Sequence, residues 1–396
     1  MQPAFLLSHS WRDDAQGTEL SFWWHTPEGT VLQKVRQASV CFIAQAQQQQ
    51  AQQIADLLKW PVTIKPVPLR FFNQQPAAAC YLPEGFKARW RELLQEQGIA
   101  LKEADIRAPE RYLMERFVYG KAWLQQPWQQ QQGYWLALDK SIKPLAIKWQ
   151  PQLKALALDI ETSSLHTDQS SQLYAISFYA DDLQLVLMQG KGENTSTLRF
   201  YADEPSLLKA LLQVLQEYDP DAILGWNLVQ FDFSFLLAKF RQYQIPFALG
   251  RDGSELKLRP SYNNPEQVQA VLAGRVILDG ISQLKNATYQ LDSFALNDVA
   301  EYFLQDHKLL QSDDLGQDIE QLFHSDKAQL AAYNLKDSEL VWRIFQQADL
   351  LNFAIERSSL TGLLMGRVGG SVAAFENLYL PRLHRAGYVA PNSEDG

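Results

Sequence analysis

Two cysteines in 396 residues, Cys41 and Cys80, are too few for a disulfide framework or a zinc-ligand set. A reducing compartment and simple packing or surface roles are expected for them, and no structural zinc. No run of about 18 uncharged apolar residues occurs, so no membrane-spanning helix is expected. The first 13 residues lack a basic segment followed by an apolar run and a cleavage site, which points to the cytoplasm. Positive charge is also short: 36 Lys and Arg stand against 45 Asp and Glu, for a formal net charge of −9. Proteins that coat duplex DNA non-specifically are normally basic, so the charge argues against that class. It leaves nucleic-acid chemistry open. Carboxylates that hold divalent ions need local negative charge, and a short single strand can be gripped by stacking and a few cations.

What the sequence does have is apolar and aromatic content, 46% and 12%, enough for two or three domains with cores of their own. Residues 5–11, 19–24 and 31–35 alternate as strands, with turns at Gln16-Gly17 and Glu28-Gly29, and predict an antiparallel meander. The glutamine run 47–50 falls on a helix reaching Leu58; it and the run 129–132 read as solvated surface. From about Ile147 the pattern changes. Strands at 153–160, 173–179 and 184–188 precede a helix at 204–218, a strand at 222–225 and a helix at 232–243. An irregular stretch, 251–265, leads to a strand at 275–279 and helices at 292–303 and 326–348, the last with Ser325 as N-cap. Three strands followed by alternating helix and strand predict a mixed α/β sheet with helices packed on it.

Three segments carry carboxylates of chemical interest. Asp159 and Glu161 are two apart at a strand end, hence on one face, where a divalent cation relieves their repulsion. Such a pair is also common on a solvated face. Asp232, in Asn227-Leu228-Val229-Gln230-Phe231-Asp232, opens a helix after a strand, a place that suits either a ligand-facing acid or an N-cap. Tyr333 and Asp337 are four apart on the long helix, so phenol and carboxylate can address one point, although such pairs are often structural. Ala332, Leu335 and Leu340 are expected to face the sheet while Tyr333 and Asp337 look along its edge.

In this order, on strand, helix start and late helix, the three segments resemble the motifs of the DEDD exonuclease superfamily, tyrosine subclass. Trp11-Arg12-Asp13, Glu103-Ala104-Asp105-Ile106-Arg107, residues 109–117, Gly225-Trp226-Asn227 and residues 369–392 resemble the polymerase II branch of the bacterial family B DNA polymerases nearly end to end. The resemblance implies a ribonuclease-H-like exonuclease domain at 148–367, a β-rich N-terminal domain at 1–147 and a return segment, 368–396, packing on the latter. Overall this is an α/β protein, α+β when the N-terminal domain is counted. The family's Asp-x-x-Ser-Leu-Tyr-Pro and Asp-Thr-Asp strings do not occur in these 396 residues, so the polymerising site is expected to lie outside this chain.

The resemblance further implies hydrolysis of the 3′-terminal phosphodiester of single-stranded DNA with two divalent ions, Mg²⁺ or Mn²⁺, about 4 Å apart. Asp159 would bridge both ions, Glu161 and Asp337 would complete the site that activates water, and Asp232 would support the second ion, mostly through water. Tyr333 would orient the nucleophilic water. Thr162 and Asn227 are candidates to contact the terminal nucleotide. Phe231 either packs beside that nucleotide or lies in the core. Asp279, another strand-end acid, reads as structural or supporting. The stretch 251–265 corresponds to a hairpin that helps separate primer from template, with Arg251, Lys257 and Arg259 either meeting phosphates or lying in a solvated loop. The partners implied are primer–template DNA, the polymerase domains of a parent protein and a sliding clamp.

Overall fold

Leu20, Phe22 and Trp24 alternate with Glu19 and Ser21, and all three apolar side chains are fully buried, as expected of a strand with one face on a core. The structure, a computed structural model, describes residues 1–164, 171–260, 268–310 and 315–392. β1 (Gln2–Asp14), β2 (Gly17–Thr26) and β3 (Gly29–Arg36) pair antiparallel in chain order. β4 (Ser39–Ala44), α1 (Gln48–Leu57), β5 (Thr63–Arg70), β6 (Pro76–Leu82), α2 (Lys87–Glu96) and α3 (Ala108–Glu115) follow. Then come β7 (Lys121–Leu124), β8 (Gln129–Gln130), β9 (Trp135–Leu138) and β10 (Ile142–Pro144).

The predicted meander holds only for the first three strands. They sit inside a seven-stranded sheet of order β10-β7-β1-β2-β3-β9-β8, in which β3 and β9 run parallel. β4, β6 and β5 form a separate sheet, where Cys41 and Cys80 lie opposite each other in register and fully buried. The first glutamine run is not wholly solvated. Gln48 donates to the carbonyl of Ile64 at 3.1 Å, and Gln52 bonds the same stretch, docking α1 on β5.

Chain contacts divide the molecule into two units: Met1–Pro151 with Arg357–Leu364 and the residues from Gly370 on, and Gln152–Glu356 with Met365–Gly369. In the second unit, β11 (Ala155–Thr162), β12 (Leu173–Ala180) and β13 (Leu183–Gln189) run antiparallel to one another. β14 (Leu198–Tyr201), α4 (Glu204–Tyr218), β15 (Ala222–Gly225), α5 (Asp232–Gln242), β16 (Lys257–Pro260), β17 (Val268–Val271) and β18 (Val276–Asp279) come next. α6 (Gly280–Asn286), α7 (Leu296–Leu304), α8 (Leu315–Ser325), α9 (Lys327–Gln347), α10 (Leu350–Thr361) and α11 (Ser371–Arg385) complete the order. The sheet order is β14-β13-β12-β11-β15-β18, with β15 and β18 parallel to β11: a mixed α/β sheet. Leu156, Leu158 and Ile160 fill the core from one face of β11, each side chain contributing about 2 kcal/mol by burial.

Several predicted boundaries move for local reasons. α7 starts at Leu296, not 292, because the Ser293 hydroxyl takes the Ala295 amide at 3.1 Å and holds a turn before the helix. Ser325 closes α8, donating to the Gln321 carbonyl at 2.8 Å; the N-cap of α9 is Asp326, which accepts from the Gln329 amide at 2.9 Å. Ala332 is exposed, and the buried face of α9 is carried by Ala331, Tyr333, Asn334, Asp337, Ser338 and Leu340. Part of the stretch 251–265 is regular: β16 pairs antiparallel with β17, and the remainder through Pro265 lies outside the described residues. No described helix is long and apolar enough to cross a membrane.

In the first unit, residues from α11 onward are tied to α3 and its approach through one buried acid. Glu103 accepts from Arg111 at 2.7 Å, from the Ala390 amide at 2.9 Å and bonds His384 Nε2 at 2.9 Å. Burial pushes its pKa up, but the His384 hydrogen bond, the Arg111 and His384 charges and the Ala390 amide outweigh it and hold it at about 2. Because the folded value lies below the ordinary 4.5, this stabilisation is complete at neutral pH and fades as pH falls from 4.5 through about 2. Glu103→Ala, which strands Arg111, should cost about 3 kcal/mol in urea unfolding at pH 7. The gap between variant and wild type should shrink on acidification; a gap independent of pH would show that the charge of Glu103 does not hold this junction.

Candidate active site

β15 pairs with β11 only as far as Ala157↔Leu224, so the strand end that carries Asp159 and Glu161 runs past its parallel neighbour. The amide of Ile160 is instead satisfied by Asp232, whose Oδ1 accepts it at 3.2 Å. That bond places the first residue of α5 beside the strand acids. Asp232 therefore reaches across to β11 and does not act as the N-cap of its own helix. On the other side of Asp159, β12 presents Ser177 in register. The Ser177 hydroxyl donates to the Asn334 carbonyl at 2.8 Å and lies 2.6 Å from the Ser338 hydroxyl, seating α9 on this face of the sheet. The small Ala157 and Ala175 on the same face leave room for the helix.

Seated there, α9 delivers Tyr333 and Asp337. Ligand oxygens of Asp159, Glu161 and Asp337 lie within 4.8 Å of one another, and Glu161, Asp232, Tyr333 and Asp337 are buried. Asp232 is outside that cluster of three but electrostatically coupled to it. Burial, then the charge of Asp337, pushes Asp159 up to about 8. Burial, then Asp159 and Asp337, drives Glu161 well above its ordinary value. Burial, then Asp159, does the same for Asp232. Asp337 is also raised by burial, against the pull of Lys308.

Lys308 and Asn334 were not singled out from the sequence. The Lys308 ammonium forms an ion pair with Asp337 and donates to the Tyr333 phenol oxygen at 3.0 Å. Burial alone would lower its pKa, but Asp337, Tyr333 and Asp159 outweigh that and keep it charged. Asn334 donates to Asp159 Oδ2 at 2.8 Å. Its signal was available: Asn334 and Ser338 repeat the four-residue spacing of Tyr333 and Asp337 on a helix that meets a sheet. Lys308 sits in an irregular segment, where no periodicity marks it.

The remaining predicted residues scatter. Thr162 is buried and its hydroxyl is committed to the Ser164 carbonyl at 2.8 Å. Asn227 is exposed, with a left-handed backbone at φ 59°. Phe231 is half-buried with its ring 6.2 Å from that of Phe235. Asp279 supports this loop: one oxygen accepts from the Leu228 amide at 2.9 Å, the other caps α6 through the Ser282 amide at 3.0 Å. Arg251 does not present its charge to a phosphate. It is buried against Asp219, Asp221 and the Gly274 carbonyl.

The sequence signature of the DNA polymerase family B exonuclease domain matches residues 102–299, half of the chain. The chain belongs to DNA polymerase family B. It is 39% identical over 399 aligned residues to DNA polymerase II of Escherichia coli (strain K12), covering 99% of this chain and 50% of that protein. It is 30% identical over 189 residues to the DNA polymerase delta catalytic subunit of Dictyostelium discoideum, covering 44% of this chain and 17% of that protein. The family B DNA polymerase structure from Pyrobaculum calidifontis superposes with a TM-score of 0.78 at 19% identity, over 98% of this chain and 51% of that one. The family B chain described here thus spans about half the length of the bacterial relative. Its exonuclease domain is ribonuclease-H-like. The matched signature contains Asp159, Glu161 and Asp232 but ends before α9, so Tyr333 and Asp337 join the site on geometry.

A family B exonuclease domain implies divalent metal ions, and the donors fit them. The set is all carboxylate oxygen, as hard cations require. Asp337 Oδ1 is buried with no hydrogen-bond partner among the described residues, an acceptor still owed a positive group. Without ions, the acids should destabilise the fold. A carboxyl whose folded pKa is raised holds its proton in the native state longer than in the unfolded chain, so stability in chelator should fall as pH rises from 3.8 toward about 8. Glu161→Gln should then raise chelator-phase stability at pH 8 by about 1 kcal/mol or more, and should lose most of the stabilisation that Mg²⁺ gives wild type. Denaturant titrations of both proteins with and without Mg²⁺ check this; a less stable variant in chelator would remove the repulsion argument.

Proposed function

We propose that this chain is the proofreading 3′→5′ exonuclease portion of a DNA polymerase II, which hydrolyses the terminal phosphodiester of single-stranded or mismatched DNA in the cytoplasm. The observation that carries the reading is the convergence of Asp159, Glu161 and Asp337 within 4.8 Å, beside Asp232 and Tyr333, in a chain of family B. Asp159, Glu161, Asp232 and Asp337 would hold two divalent ions, Mg²⁺ or Mn²⁺. When bound, such ions supply Lewis-acid stabilisation of charge on the attacking and leaving oxygens.

The protein's own groups set up the rest. Tyr333 stays protonated, because burial and the charge of Asp337 raise its pKa. Its oxygen accepts from Lys308, so its hydroxyl proton points away from the ammonium and is free to orient a nucleophilic water. A phenol of fixed polarity orients a nucleophile with little reorganisation. The Lys308 ammonium adds a positive charge where negative charge builds on the phosphate. Asn334 holds Asp159 by one oxygen and so fixes the carboxylate's rotation. Asn227, Thr162 and Phe231 stay candidate contacts for the terminal nucleotide on the family resemblance alone. A site this recessed takes an unpaired end, and opening each base-pair step costs roughly 1 to 2 kcal/mol, which favours frayed or mismatched termini. A parent protein would contribute polymerase domains and a sliding-clamp contact.

Two variants test the assignment by single-turnover cleavage of a labelled oligonucleotide at saturating Mg²⁺. Asp159→Ala should retain less than about a tenth of wild-type turnover while still binding a single strand. Tyr333→Phe should melt with wild type but cut roughly 10 to 1,000-fold more slowly. A Phe variant that cuts at the wild-type rate would reduce Tyr333 to packing.

A further inference from the structure

We infer that Asp306 is a positioning residue for the Lys308 ammonium, gripped by Lys336 and Arg343 so that the 306–308 segment is registered on the helix that carries Tyr333 and Asp337. Asp306 Oδ2 accepts from Lys336 Nζ at 2.9 Å and from Arg343 Nη1 at 2.5 Å, and its Oδ1 accepts from the His307 amide at 2.8 Å. Lys336 and Arg343 are seven residues apart on α9, two turns along one face. Glu339 lies between them and accepts from both, at 3.4 and 3.1 Å, so two cations and two acids alternate. A second anchor follows at once. The Lys308 amide donates to Asn297 Oδ1 on α7 at 3.0 Å.

The consequence concerns reach and order. A lysine side chain has four flexible carbons, and its ammonium meets Tyr333 and Asp337 together only if its backbone is fixed. The backbone is fixed against α9 by Asp306, and α9 also holds the two groups that Lys308 must meet. Tyr333, Lys336, Asp337 and Arg343 therefore form one template on α9 against which the ammonium is placed, with Asn297 of α7 as the second hold on its backbone. A stability role explains the network less well. Asp306 and Arg343 are partly open to solvent, side chains 26% and 38% exposed, and ion pairs of that exposure contribute little to folding.

This inference rests on the reading of Lys308, Tyr333 and Asp337 as one exonuclease site, and the experiment separates the two. Single-turnover cleavage is measured for wild type, Asp306→Ala, Asp306→Glu, Lys308→Ala and the Asp306→Ala/Lys308→Ala double variant. Asp306→Ala should slow cleavage roughly tenfold or more, within the hundredfold that an ångström of misplacement can cost, with oligonucleotide affinity and melting temperature near wild type. Asp306→Glu should recover most of the rate. In the Lys308→Ala background the Asp306 change should be silent, since it acts through the missing ammonium.

A second readout needs neither activity nor metal. Acylation of Lys308 by an amine-directed ester, followed by peptide mass spectrometry and normalised to exposed Lys209, should rise about threefold or more in Asp306→Ala as the ammonium loses its fixed place. If Lys308→Ala leaves no measurable rate, this labelling decides. Unchanged labelling, or full additivity of the two substitutions, would overturn the positioning role. If Asp159→Ala abolishes cleavage while Asp306→Ala is neutral, only this inference fails; if Asp159→Ala cuts normally, the exonuclease reading itself fails.

Discussion

Repulsion among Asp159, Glu161, Asp232 and Asp337 is the interaction that the second unit is organised to withstand. Each acid is buried or nearly so, and burial heads the causes that raise each pKa. Left alone, such a cluster favours neutralisation or opening. Opposing it are the apolar face of β11, the Ser177 contacts that seat α9, and the Lys308 ammonium. The apolar packing is indifferent to charge, so it holds the acids together whether or not a counter-ion is bound. This is the usual arrangement of a site whose local strain is offset by the scaffold around it.

The scaffold also explains why the acids come from three separate segments. A strand places two side chains on one face but reaches no further sideways than its neighbours. Adding a third and fourth acid needs elements that approach from outside the sheet. The early end of β15 leaves a backbone amide for Asp232 to claim, and the small residues opposite α9 let that helix sit close enough for Asp337. Likeness to a family B polymerase at 19% identity shows that the fold is kept while most residues differ.

How much of this was legible follows from the range of each signal. Alternation and helical periodicity are local, and they located β1 to β3, α4, β15 and the body of α9. The pairing of β3 with β9 is parallel and spans about a hundred residues, and nothing local announces it. Short helices such as α6, seven residues capped by Asp279, carry too little periodicity to stand out. At the site, the acids were readable because their types and spacings are distinctive. Lys308 was not, since its importance comes from a tertiary meeting with Tyr333 and Asp337 that no spacing encodes.

The bond from Ile160 to Asp232 has one more consequence, for symmetry. Asp159, Glu161 and Asp337 gather their oxygens toward a common point, whereas Asp232 spends one of its two on the main chain of β11. Asp159 and Asp337 are each engaged through one oxygen by a side chain, Asn334 and Lys308, and Asp232 by a main-chain amide. The acids are thus tied by unlike partners, side chains on one side and strand backbone on the other, before anything enters the site.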